Sequence, residues 1–169
     1  MNMPKPRFSK VILTLLPLLL WGPILQAEET PFWPYDRLSS ESDLVVVAVP
    51  VSSEDTGELL FSPLWQMDFV GVNTKVEVRG VVDGRFRAKE LTIFHLRMPD
   101  GKTLVNGPLM LELHRTALTM RTAGHEKGQG APEYLLYLKK RKDGRYEPAS
   151  GPLSGGHAAR ELYPLPTTP

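Results

Sequence analysis

The chain has 169 residues, 20 lysines and arginines against 19 aspartates and glutamates, 41% hydrophobic residues and no cysteine. That length suits one domain with a self-sufficient core, and the missing thiols exclude disulfide staples, a lipidated cysteine and thiolate metal sites. The near balance of charge lacks the strong basic excess of a nucleic-acid-binding domain.

Lys5, Arg7 and Lys10 precede an uncharged run over 11–25, which ends at Gln26, Ala27 and Glu28. A basic start, a short apolar stretch and a small residue at the exit describe an export signal over 1–27, cut between Ala27 and Glu28. Pro17, Gly22 and Pro23 break the apolar run, whereas a spanning helix needs roughly 20 consecutive apolar residues. A cleaved signal is therefore preferred to a retained anchor, with no membrane span after processing and a secreted or periplasmic location. Removing the three signal bases leaves seventeen against nineteen acids, a net charge of −2. Residues 28–63 hold eight of those acids and one base, Arg37, an asymmetry that a folded surface neutralises internally.

Pro31 and Pro34 make 28–41 an extended lead-in followed by a short helix, because proline is tolerated at a helix start and not within one. The β-branched run 44–49 predicts a strand buried on both faces, and Pro50 with the polar residues 52–57 predicts a loop after it. Val70, Val72, Thr74, Val76 and Val78 alternate with Gly71, Asn73, Lys75, Glu77 and Arg79, the period of a half-exposed strand. Asp83 and Gly84 predict a tight hairpin turn, and 89–98 returns with Leu91 and Ile93 on one side, Phe94 and Leu96 on the other. Leu109, Leu111 and Leu113 alternate again, 124–132 reads as a flexible loop, and 134–138 is a core strand leading to a basic tip. Asp143 and Gly144 turn that strand back over 145–148, 158–163 adds a last strand, and 164–169 is a disordered tail. The fold class is mainly β: a small antiparallel OB-like Greek-key barrel of five to seven strands over 42–163 with one short helix, a β-sandwich being the alternative.

The stretch 42–163 also resembles a family. Ser-Asp-Leu-Val-Val-Val at 42–47, Lys-Val-Glu-Val-Arg-Gly-Val-Val-Asp-Gly at 75–84, Tyr-Leu-Leu-Tyr-Leu-Lys-Lys at 134–140 and Asp-Gly-Arg-Tyr-Glu-Pro-Ala-Ser-Gly at 143–151 carry the resemblance. Together they look like uncharacterised secreted bacterial proteins related to the netrin and metalloproteinase-inhibitor (TIMP-like) OB barrel. The inhibitors of that family chelate zinc through an N-terminal cysteine, which this chain lacks, so the resemblance implies a fold and not that activity.

Four histidines, His95, His114, His125 and His157, lack the spacing of a zinc helix, so neither a metal nor another cofactor is expected. His95 and His114 meet only if their strands are neighbours, with Glu112 on the face of His114 by the period of two. They are the candidate pocket of the alternative reading, an extracytoplasmic hydrolase. No Gly-x-Ser-x-Gly occurs, and the small residues over 151–156 read as a turn. Lys139, Lys140, Arg141, Lys142 and Arg145 form the densest charge and a candidate anion-binding patch, set against a solvated tip that blocks edge pairing. The preferred function is a non-catalytic binding or interaction domain whose partner is an extracytoplasmic protein or glycan and not nucleic acid.

Overall fold

A computed structural model describes residues 33–104, 107–113 and 132–162. The expected signal, its cleavage residues Ala27 and Glu28, all of the expected loop 124–132 except Pro132, His114, His125 and the tail 164–169 lie outside the described residues. The first element is a short helix, α1 (Tyr35–Glu41), entered from Pro34 and left at Ser42, whose backbone is extended. Seven residues are too few to hold a helix in water. α1 is kept by burial of Leu38, by the Ser42 hydroxyl donating to the Leu38 carbonyl at 2.6 Å, and by Tyr35 against Tyr137.

Six strands follow: β1 (Leu44–Ser62), β2 (Met67–Gly84), β3 (Glu90–Arg97), β4 (Glu133–Lys140), β5 (Tyr146–Pro148) and β6 (Ala159–Leu162). The described residues are thus mainly β with one short α-helix. β1 and β2 form a long antiparallel ribbon running from Leu44 opposite Gly84 to Ser62 opposite Met67. At about 3.3 Å per residue the 19 residues of β1 trace a contour of about 60 Å, so the ribbon must bend to fit a small domain. Bulges supply the bend. Val82 and Arg79 are extra residues on β2, and Val51 is extra on β1 directly after Pro50. A fourth irregularity carries Thr56 to Glu58 past Gly71, where a Cβ would lie 2.6 Å from Thr56 Oγ1.

Two expectations change here. The polar segment 52–57 is strand rather than loop, because the Val51 bulge takes up Pro50 and the ladder resumes at Ser52 opposite Lys75. Asp83 and Gly84 do not make a tight hairpin: β2 continues to Gly84 against Leu44, and residues 85–89 connect to β3. The β2–β3 ladder stops at Glu77 opposite Glu90, so the far end of β2 serves β1 alone.

The pairings close on themselves. β1 pairs β4 on its other edge, from Leu44 opposite Leu138 to Ala48 opposite Tyr134. β4 shares its remaining edge between β5 near Leu138 and β6 near Leu135. β5 meets β3 at Ile93 and Tyr146, completing the ring β1-β2-β3-β5-β4-β1. That last contact is parallel, which departs from the expected antiparallel arrangement; every other pairing is antiparallel.

One face of the wall carries Leu44, Val46, Ala48, Val76, Leu91, Ile93, Tyr134, Leu136 and Leu138, joined by Leu111. Burying each large aliphatic side chain stabilises the fold by about 1.5–3 kcal/mol. Leu111 is donated by a coil, since 107–113 forms no strand despite its alternating leucines, and Leu109 faces solvent. Phe69, Phe94 and Leu96 form a second cluster, packed by Trp65, Met67, Met98, Leu104, Met110 and Leu153. β3 therefore buries both its faces, as the positions of Leu91, Ile93, Phe94 and Leu96 predict.

Candidate functional site

The basic tip is ordered by its own acids. Asp143 accepts from the Arg145 backbone N–H at 3.0 Å, and Gly144, with φ of 89°, lets the chain reverse. Arg145 pairs with Asp143 at 2.7 Å and Glu58 at 2.9 Å, and also donates to Asn73 Oδ1 at 3.0 Å. Arg141 pairs with Glu147 at 2.8 Å and Asp143 at 3.1 Å. Both guanidinium groups lie over the Phe94 ring, at 4.3 Å for Arg141 and 4.6 Å for Arg145, where the face of the π-system attracts cations. Hydrogen bonding from Arg145 holds the Asp143 carboxyl well below the usual carboxylate range, and hydrogen bonding to Asp143 and then Glu58 raises Arg145. Lys139 reaches Glu41 at 3.4 Å.

Three of the five patch residues thus have carboxylate partners. Lys140 and Lys142 are exposed and have no carboxylate partner among the described residues; only the Lys140 backbone is held, its N–H donating to Asp43 Oδ2 at 2.7 Å. Their neighbours come from elsewhere in the chain. Phe86 meets Tyr146 edge-on at 6.1 Å, and Tyr146 is the ladder partner of Lys140. This contact brings the β2–β3 connection, with exposed Arg85, Arg87 and Lys89, alongside the tip. The bases at alternate positions 85, 87 and 89 were the available signal, hidden by reading that segment as a turn.

His95 stands on the same face of β3 as Leu91 and Ile93 and is only 6% exposed. Its Nε2 is 2.8 Å from the hydroxyl of fully buried Thr74, which in turn lies 2.8 Å from Ser53 Oγ. Nδ1 is buried with no hydrogen-bond partner among the described residues. Burial holds the imidazole below its ordinary pKa, favouring the neutral ring. Of the other candidate pocket residues, Glu112 is exposed on the coil 107–113, and His114 lies outside the described residues. Among the described residues no three histidines or carboxylates are grouped so as to hold a metal ion. No helix among them is long and apolar enough to cross a membrane.

A further feature had no sequence expectation attached to it. The β1–β2 ribbon runs past the end of β4, which stops at Ala48 opposite Tyr134, and past the last β3 pair, Val70 with Arg97. The resulting arm exposes Leu59, Leu60, Phe61 and Leu64, Leu59 by 64%. Trp65 and Met67, at the turn that ends the ribbon, pack on the Phe69 cluster. Arg97 clamps the arm from the side through both oxygens of Asp55, at 2.9 and 2.6 Å, which lowers the Asp55 pKa. Exposed apolar side chains grouped on one element in this way are a feature of interaction sites. The chain matches no family model, no curated protein and no solved structure.

Proposed function

We propose that this chain is an exported, non-catalytic binding domain on an OB-like barrel, which engages a protein partner outside the cytosol through the β1–β2 arm. The strand order β1-β2-β3-β5-β4-β1 with a parallel β3–β5 contact supports the barrel reading. In such barrels the β1–β2 and β4–β5 loops commonly bind ligands, and here Arg145 of the β4–β5 turn is tied to Glu58 at the base of the arm. The leader over 1–27 supports export.

The carrying observation is the exposure of Leu59, Leu60, Phe61 and Leu64 on an arm that Arg97 holds from the side and that nothing among the described residues covers. Glu54 and Asp68 flank it without ion-pair partners among the described residues, so the partner it suits has an apolar cleft edged by bases. The arrangement of His95 favours binding over catalysis, since its accessible chemistry is spent on Thr74 inside the wall.

A photo-crosslinking side chain at Phe61, compared with one at Lys75 on the wall, tests the proposal in exporting cells. One heterologous adduct from position 61 alone is expected, whose purified partner binds at least tenfold more weakly when Leu60→Ser and Phe61→Ser are combined. The same adducts from both positions, or unchanged affinity in the double variant, would sink it.

A further inference from the structure

The ribbon has a second end, and its chemistry is different. There β2 outruns β3, and the bulge opposite Val45 and Val46 turns the extra residue, Val82, out to 63% exposure beside exposed Val81. Five exposed bases lie on the segments next to this end: Arg85, Arg87 and Lys89 on the connection to β3, and Lys140 and Lys142 on the β4–β5 tip that the Phe86–Tyr146 contact brings against that connection. The connection is pinned, because Val78 N–H donates to the Lys89 carbonyl at 2.7 Å.

Two of the nearby carboxylates are ion-paired, Glu77 with Arg79 at 3.0 Å and Glu90 with Lys75 at 3.8 Å. Asp43 and Asp83 accept only backbone N–H bonds, from Lys140 at 2.7 Å and Gly84 at 2.8 Å, and keep their charge, so five bases face two acids at this end. The five bases have no carboxylate partner among the described residues. Cations beside outward-turned aliphatic side chains fit a surface that is anionic above and apolar just beneath.

We propose that this rim docks on the surface of an anionic lipid bilayer, the bases meeting headgroup phosphates and Val81 and Val82 entering the interface. Each base near such a surface is worth about a fivefold gain in partitioning, and the attraction decays over about 10 Å at 0.1 M salt. This inference does not depend on the arm having a partner: lipid binding is measured with no other protein present.

The test is co-sedimentation of the naturally processed protein with phosphatidylcholine vesicles, with and without about one quarter phosphatidylglycerol, at about 0.1 M salt. Partitioning at least tenfold higher on the anionic vesicles is expected, lost on raising salt. Combined Arg85→Gln, Arg87→Gln and Lys89→Gln should lower it at least tenfold, Lys140→Gln with Lys142→Gln severalfold, and Val82→Ser about twofold or more. Lys102→Gln, beyond the other end of β3, should change nothing. Equal binding to both vesicles, retention in the triple variant or an equal loss in Lys102→Gln would overturn the proposal. So would indifference to Val82→Ser together with tighter binding to heparin, which would assign the rim to a polysaccharide instead. The salt response of the unaltered protein gives a reading that no folding defect can imitate.

Discussion

Replacing Thr74 by valine keeps the shape of a fully buried side chain and removes one hydroxyl. That hydroxyl is the partner of His95 Nε2, and Nδ1 has none among the described residues, so the variant leaves both imidazole nitrogens buried and unbonded. An unsatisfied buried polar group costs about 1–3 kcal/mol, while Ser53, on the exposed side of the chain of hydroxyls, returns to water at little cost. With a urea slope of about 1–3 kcal/mol per molar, Thr74→Val should lower the midpoint by about 1 M. His95→Leu alone should cost less, because Thr74 keeps Ser53. Combining the two removes every unsatisfied atom and should return stability to within about 1 kcal/mol of the original, a favourable coupling of about 1–2 kcal/mol. Urea unfolding followed by tryptophan fluorescence measures all four forms, with Trp65 reporting on the Phe69 cluster. A double variant less stable than Thr74→Val would refute the reasoning.

The same imidazole sets a pH dependence. His95 has a lowered pKa in the fold and about 6.5 in the unfolded chain, so the unfolded chain binds the extra proton first. Its contribution is fully present above pH 6.5 and declines as pH falls through the folded value; His95→Leu should flatten that part of a melting-temperature profile. Gly84 and Gly144 both have positive φ, of 87° and 89°. Gly144→Ala should cost only the left-handed backbone, about 1–2 kcal/mol, whereas at Gly84 a Cβ would also meet the Asp43 carbonyl oxygen at 2.5 Å. Gly84→Ala should be clearly the worse in urea, and equal midpoints would count against the closeness of β2 to the start of β1. Phe69→Ala should cost about 3–5 kcal/mol by emptying the centre of the second cluster, while Phe61→Ala on the arm should leave the midpoint nearly unchanged.

Alternation alone announces β2, and the β-branched run announces the buried start of β1, because both patterns follow from burial on a pleated strand. The extension of β1 was illegible for a physical reason: Val51 absorbs Pro50 as a bulge, and bulges leave no period to read. Turn chemistry misled at Asp83 and Gly84, where positive φ serves a close approach to Asp43 rather than a hairpin. The basic tip was visible as a run of charge, but its neutralisation was not. Glu58 reaches Arg145, and Glu41 reaches Lys139, from the opposite half of the chain. Arg85, Arg87 and Lys89 join Lys140 and Lys142 through one aromatic contact that no spacing rule encodes. The seat of His95 beside Thr74 could have been found, since pairing the two alternating strands places both residues on one face.

The double pairing of β1 also governs when the molecule can assemble. Val46 needs Val81 on one side and Leu136 on the other, and Leu44 needs Leu138, 94 positions further on (138 less 44). During synthesis the ribbon can form early, but its inner face has no lid until β4 and β5 have been made. Such distant pairings carry a loop-closure cost that slows folding. A chain of this design cannot close its core around Leu136 and Leu138 until the segment carrying them has been made, so the completion of the fold waits on the last third of the sequence.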